Sequence, residues 1–472
     1  MNIILSMSSF IFPLITFPYV SRVLTPTGYG KFSFAQATIN YFAMFASLGI
    51  PTYGIRICAK NRDNKQELSK VAQELLYINL FTACLSFMAL IVAIFLVGKF
   101  NEEKAILLLM SLTLFLTAIG MEWLYKALEQ YSYITIRSLI FKAIAVVFMF
   151  MMIHQPEDYV IYGGISIFAA CASNILNFIN VHRYISLKPS KDINLKKHIK
   201  PILVFFAMSC ATIIYTNMDV VMLGFMKSDE EVAYYEAAIK IKKILVSIVT
   251  SLGAVLLPRA SYYIEHNENE KFLKMTKKAF NFVILFALPL TIYFIIYAKE
   301  GIVFLSGEEY LPSVVPMQIL MPTLILIGIT NIFGIQMLIP LGQERCVLYS
   351  EIAGAIVDLI INWLLIPKYG ASGAAIGTLV AEAVVLIVQI YYLKKYVKDI
   401  DLKLDYKHIL LALALACLAG LFIKSLNLSA FIALVISAIL YFSIYGIILI
   451  IFKDQLTIEI LNIVKKKLLK RA

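Results

Sequence analysis

Fourteen apolar runs, most near twenty residues long, punctuate this chain, and nothing else in the sequence constrains the fold as tightly. Their rough limits are 2–21, 33–57, 71–98, 104–126, 133–153, 158–182, 201–226, 232–257, 279–298, 313–341, 346–366, 371–393, 408–424 and 430–452. About twenty apolar residues in a helix match the thickness of a bilayer's hydrocarbon core. The thirteenth run is short, which keeps a twelve-span reading open. In lipid each backbone N–H and C=O must be paired within the protein, so the expected fold class is all-α and polytopic. Composition agrees: 61% of the residues are hydrophobic and 15% charged, against about 25% charged in soluble proteins. A water-soluble core could not hide that much apolar surface.

The basic residues give the orientation. With Met1 on the cytoplasmic side, the inner loops and tail carry 29 lysines and arginines and the outer loops 8. That bias places both termini in the cytoplasm. The net charge of +12 is therefore read as topology and not as nucleic-acid binding. The tail, Lys465-Lys466-Lys467-Leu-Leu-Lys470-Arg471, is expected to rest near anionic headgroups as an anchor. No cleavable signal peptide is expected, because Pro18-Tyr-Val-Ser-Arg22 stands where small residues would mark cleavage. The longest polar stretches, roughly 182–200 and 258–278, leave no room for an extramembrane catalytic domain. The six cysteines form no CxxC pair and the five histidines no zinc spacing, so neither a disulfide framework nor a metal site is implied.

The stretch Asn217–Arg259 echoes the first half of the chain. Val20-Ser-Arg-Val-Leu24, Gly30-Lys-Phe32, Leu48-Gly49 and Arg56 return as Val220-Val-Met-Leu223, Ala233-Tyr-Tyr235, Leu252-Gly253 and Arg259, an offset of about 200 residues. Six spans precede the second copy, so the two copies share one orientation: a parallel repeat, two bundles facing a central cleft. Charges at bilayer depth cost at least ~3 kcal/mol on insertion scales unless they face water or a partner. By depth these are Lys142, Lys240, Lys243, Asp358 and Glu382. Glu236, Lys240 and Lys243 share one helical face, and Glu351, Asp358 and Asn362 form a second stripe. Such stripes suit cleft-lining helices, and pairing that fixes helix packing is the alternative. Glu122 and Lys126 read as a structural pair. Arg22, Arg56 and Arg259 lie near span ends, within snorkelling reach of headgroups. Pro13, Pro18, Pro289, Pro316, Pro322 and Pro340 sit in or beside spans and predict bends.

Several of these stretches resemble Wzx-type oligosaccharide flippases. Pro18-Tyr-Val-Ser-Arg-Val-Leu-Thr-Pro-Thr-Gly-Tyr-Gly30 is similar to that family's opening signature, and Glu122-Trp-Leu-Tyr-Lys-Ala-Leu-Glu129 with Tyr133-Ile-Thr-Ile-Arg137 follows it. Asp219-Val-Val-Met-Leu-Gly224 with Leu257-Pro-Arg259 looks like the seventh and eighth spans. Pro340-Leu-Gly-Gln-Glu344, Asn362-Trp-Leu-Leu-Ile-Pro-Lys-Tyr-Gly-Ala-Ser-Gly373 and Glu382 extend the likeness to about residue 395. Family members carry a short basic lead-in before the first span; this sequence opens inside the span, and a start upstream of Met1 would account for that.

The resemblance implies the multidrug/oligosaccharidyl-lipid/polysaccharide exporter superfamily. It implies an N-terminal six-helix bundle over 1–182, a cytoplasmic linker over 183–200, a C-terminal six-helix bundle over 201–395, and two extra helices with a basic tail over 396–472. The implied task is not enzymatic. It is to carry undecaprenyl-pyrophosphate-linked oligosaccharide across the bacterial cytoplasmic membrane, with membrane lipids and the polymerase and chain-length components of the same pathway as partners. Sugar hydroxyls stripped of water cost roughly 2–7 kcal/mol each when unpaired, so the glycan needs a wet, polar cleft. An anionic pyrophosphate calls for cations. Arg22, Lys142, Lys240, Lys243 and Arg259 are the substrate-binding candidates. Asp358 or Glu382 would carry a coupling proton or sodium ion, with Asp219, Glu236 and Asn362 as further intramembrane polar groups and no other cofactor. The rivals are a multidrug exporter of the same superfamily, a peptidoglycan-precursor flippase, and a membrane-embedded polymerase or glycosyltransferase. The last would need a sizeable outer loop or a carboxylate-rich loop, and neither is evident.

Overall fold

The structure, a computed structural model, describes residues 2–188, 193–399, 406–426, 428–454 and 457–459. The basic tail from Lys465 lies outside them. The described residues form helices joined by short turns, with no strand among them. Among the described residues ten helices are long and apolar enough to cross a membrane, or up to thirteen if each of three bent pairs is one crossing. The first, Ile15–Lys60, has 46 residues. A straight helix of that length would run about 69 Å, more than twice the hydrocarbon thickness. Thr25, at φ 58° and followed by Pro26, breaks it. The ten to thirteen candidate crossings compare with the fourteen runs, or twelve on the shorter reading, of the sequence.

The chain divides into two compact units, Met1–Ala233 and Tyr234–Ala472. The first includes the helix Lys196–Met226, which packs along Asn2–Ser47 and Ile50–Lys60. Gly49 makes that packing close: it sits at φ 73°, and a Cβ there would lie 2.5 Å from the Phe206 backbone nitrogen. Polar pairs tie helix ends at one side of this unit. Lys31 meets the buried Glu103 at 3.2 Å, Lys99 meets Asp229 at 2.8 Å, and the Thr27 hydroxyl donates to Glu230 at 2.7 Å. At the other end Glu74 is fully buried. Its carboxylate pairs with Lys197 and with His198 Nε2, each at 2.8 Å, and accepts from the Asn194 backbone N–H. The Tyr53 hydroxyl meets His198 Nδ1 at 2.8 Å. A buried carboxylate is tolerable only with this many partners, and they fasten the start of Lys196–Met226 to Ile50–Lys60 and Lys65–Leu96.

In the second unit, Glu344–Tyr369 lies along Ala371–Asp399. Ser350, Gly354, Asp358, Asn362 and Ile366 recur every fourth residue on the first helix, as do Gly373, Gly377, Ala381, Val385 and Gln389 on the second. All ten are buried. Small residues at this spacing let backbones approach closely where no hydrophobic effect drives helices together. Two further helices, Tyr406–Ser425 and Ala430–Ile451, pack on Asn269–Ile296 through tyrosines. Pro289 has no N–H, so the Leu285 carbonyl loses its helical donor. The Tyr445 hydroxyl donates to it at 3.1 Å, and Tyr441 donates to the Pro289 carbonyl at 3.2 Å. Tyr297 reaches the Gly420 carbonyl and Tyr293 the Leu434 carbonyl.

Helix breaks fall at related places along the two halves of the chain. The chain breaks at Leu48 and Gly49 in the first unit, and the corresponding helix in the second bends between Asp229–Ser251 and Leu256–Glu265. The span Lys104–Ala127 is interrupted at Ser111 and at Met121, which takes a left-handed φ of 42°. Its counterpart bends between Leu320 and Thr323 and then runs as a π-helix over Ile332–Leu338.

Tyr445→Phe should strand the Leu285 carbonyl in an apolar setting and cost about 1 kcal/mol. Its unfolding midpoint in detergent should fall below that of Tyr391→Phe, a change at an exposed ring that should leave stability as it was.

Candidate functional site

The polar residues at bilayer depth fall into one group in the first unit and two in the second. In the first unit, Arg22 is exposed just before the Thr25 break, its guanidinium donating to the Pro18 carbonyl. Lys142 is half-buried on Tyr131–Met152, and Asp219 is buried on Lys196–Met226. Near Asp219 runs a ladder of carboxamides that sequence reasoning missed. Gln36 Nε2 donates to Asn40 Oδ1 at 3.1 Å, and Asn40 Nδ2 donates to Asn217 Oδ1 at 3.0 Å. Asn217 Nδ2 then donates to the Ile213 carbonyl and to the Thr216 hydroxyl. The available signal was Gln36 and Asn40 at i and i+4, both amides inside an apolar run.

In the second unit, Glu236 and Lys240 are half-buried and Lys243 is exposed. They share the face of Asp229–Glu265 opposite Ala238, Ile241, Leu245 and Val249, all of which are buried. Arg259 is exposed farther along the same helix.

The third group is the helix pair Glu344–Tyr369 and Ala371–Asp399. Asp358 is 1% exposed and Asn362 fully buried. Gly377 faces both: a Cβ there would lie 2.1 Å from Asn362 Oδ1 and 2.9 Å from Asp358 Oδ1. Glu382 is buried on the second helix of the pair, and Glu351 is half-buried on the first. Beside them the Tyr235 and Thr378 hydroxyls meet at 2.7 Å, tying Asp229–Glu265 to the pair. Tyr235 and Thr378 were not singled out by sequence reasoning, since a lone hydroxyl in an apolar run carries no charge signal. The structure therefore brings Asp358 and Asn362 together against Gly377, and it lines up Glu236, Lys240 and Lys243. The Glu122–Lys126 pair forms, at 2.8 Å.

Comparison with known proteins follows from this architecture. The family model described as "Polysaccharide biosynthesis protein" matches residues 1–264, more than half of the chain. The chain belongs to the polysaccharide biosynthesis protein family. It is 23% identical over 389 residues to the "Putative O-antigen transporter" of Escherichia coli (strain K12), covering 82% of this chain and 94% of that one. It is 25% identical over 397 residues to the protein of the same description from Shigella dysenteriae, covering 82% and 97%. Among solved structures, the lipid II flippase MurJ in an inward closed conformation superposes with a TM-score of 0.74 at 16% identity, over 96% of this chain and 98% of that one. That likeness shows a shared fold. Membership of this family agrees with the resemblance to Wzx-type flippases read from the sequence.

Gly377→Val should drive a side chain into Asn362 and Asp358 and cost about 1–3 kcal/mol by overpacking. Gly446→Ala, whose Cβ would meet nothing within 4 Å, should be silent. Thermal unfolding of the two purified variants checks the contrast.

Proposed function

We propose that this protein moves undecaprenyl-pyrophosphate-linked oligosaccharide from the inner to the outer leaflet of the bacterial cytoplasmic membrane, for surface polysaccharide synthesis. The observation that carries this reading is the match along 82% of the chain to two proteins described as O-antigen transporters, each matched over at least 94% of its own length. The fold shared with a lipid II flippase supports it as a scaffold suited to a polyprenyl-linked cargo. The protein acts as a transporter and not as an enzyme, and both its termini are cytoplasmic, as the 29 inner against 8 outer basic residues indicate.

The transport route is a wet central cleft opened to alternate sides. Arg22, Lys142, Lys240, Lys243 and Arg259 supply the positive potential that holds the pyrophosphate. The stripe of Glu236, Lys240 and Lys243 opposite a buried face supports this assignment for the eighth span. Asp358 or Glu382 carries a coupling proton or sodium ion. Both carboxylates are buried on the helix pair Glu344–Tyr369 and Ala371–Asp399, and carboxylates at bilayer depth are rare and cluster on ion and proton pathways. The polymerase and chain-length components of the pathway are the downstream partners.

Cells depleted of the protein should accumulate the complete lipid-linked repeat unit on the cytoplasmic side and lose surface polysaccharide, read from lipid extracts. Unchanged lipid-linked pools with new sensitivity to cationic dyes would instead favour a drug exporter. In the same cells, Lys240→Gln with Lys243→Gln should reduce glycan export at least tenfold. Glu382→Gln should reduce export and flatten its dependence on external pH; full export with the ordinary pH profile would remove Glu382 from the coupling step.

A further inference from the structure

Polar groups that meet lipid are costly, and the first unit shows where it accepts that cost. Tyr131–Met152 presents Ile136, Ile140, Val147 and Met151 on its exposed side, and Lys65–Leu96 presents Phe81, Leu85, Val92 and Phe95. Those faces suit acyl chains. The seam between Asn2–Ser47 and Lys196–Met226 differs. Gln36, Asn40 and Asn217 are each half-buried along it, and Thr212 and Thr216 are exposed beside Asn217. Asn217 lies nine residues before the end of its helix, roughly 13 Å below that end. Carboxamides left half-open at that depth would forfeit hydrogen bonding against lipid, whereas the Thr216 hydroxyl is satisfied by its own helix. The seam is therefore a water-facing surface.

Its chemistry is specific. A carboxamide offers donors and acceptors in one plane, as paired sugar hydroxyls require. The bonds made engage one N–H of Gln36, one N–H and one lone pair of Asn40, and one lone pair and the Nδ2 donors of Asn217. Donor and acceptor capacity beyond these bonds lies mainly with the half-buried Gln36 and Asn40 carboxamides. No member of the ladder is charged, so it would contribute little to holding a pyrophosphate. We propose that Gln36, Asn40 and Asn217 form a subsite for an uncharged sugar of the transported oligosaccharide, separate from the cationic groups that hold the lipid pyrophosphate. This rests on the flippase reading above.

The test measures binding to the full-length protein in lipid nanodiscs. One probe is the undecaprenyl-pyrophosphate oligosaccharide extracted from cells depleted of the protein, and the other is undecaprenyl pyrophosphate alone. Asn40→Ala and Asn217→Ala should each weaken binding of the glycan-bearing lipid about fivefold and leave the bare lipid unaffected. Gln36→Ala, at the end of the ladder, decides the matter if the asparagine variants fail to fold: it should weaken only the glycan-bearing lipid. Equal loss on both lipids, or no loss on either, overturns the subsite while leaving the flippase reading in place. A wild-type protein that binds the bare lipid as tightly as the glycan-bearing one also overturns the subsite. A wild-type protein that binds neither overturns the flippase reading, and the subsite falls with it.

Discussion

The constraint on which this structure depends is that a backbone carbonyl in a membrane has no water to bond. An unbroken helix meets it automatically, and a break must meet it with a side chain. This chain breaks its helices often, and the freed carbonyls find donors. Before the Leu48–Gly49 break, the Ala46 carbonyl accepts from Asn79 Nδ2 at 2.9 Å and from the Thr82 hydroxyl. At the Met121 break the Gly120 carbonyl accepts from Asn177 Nδ2 at 2.9 Å. After the π-turn Phe168–Ala172, the Ser173 carbonyl accepts from the buried Arg137 at 2.8 Å. At Pro289 the tyrosine hydroxyls take this part. Asn79, Thr82, Asn177, Arg137, Tyr441 and Tyr445 thus serve as donors to the irregular backbone.

A carboxamide packs against the broken helix in both halves, though only in the first does it bond the freed carbonyl. In the first unit the break at Gly120 is packed by Asn174 and bonded by Asn177. In the second, Gly334 within the π-helix is packed by Gln389, whose Nε2 bonds the Ser350 hydroxyl at 3.3 Å. Local sequence similarity between the copies is slight here, and the amide residues differ. What the repeat preserves is a broken fourth helix under a carboxamide from the sixth. A segment held by one or two such bonds, and not by a continuous helical ladder, is a natural place for a span to change its bend at low cost.

The sequence revealed the parts of the fold that depend on long apolar runs and on charge. Polytopic helices follow from run length, and the paired markers Leu48-Gly49 and Leu252-Gly253 coincide with real breaks. The stripe of Asp358 and Asn362 was legible as one helical face. Its partner Gly377 was not, because which glycine a buried acid meets depends on how two helices cross. Met121 gave no warning either, since a non-glycine residue at positive φ is set by packing and not by propensity. The carboxamide ladder escaped notice for a related reason: amides carry no charge, and a search for expensive residues passes over them.

That blind spot bears on how cargo is chosen within a shared scaffold. A superposition at 16% identity shows that most side chains can change while the helices keep their places. Specificity must then reside in the polar surfaces the helices carry. A lipid-linked glycan presents two chemistries, an anionic pyrophosphate common to many such carriers and a sugar portion that differs among them. Charge is suited to the first, because Coulombic attraction acts at range and tolerates imprecise fit. It discriminates poorly between neutral sugars. Directional amide and hydroxyl pairs are suited to the second, because a hydroxyl missing or displaced leaves a polar group unbonded. On the reading proposed above, exchange of carboxamides along the seam of Asn2–Ser47 and Lys196–Met226 would retune the cargo without disturbing the bonds that close the helix breaks.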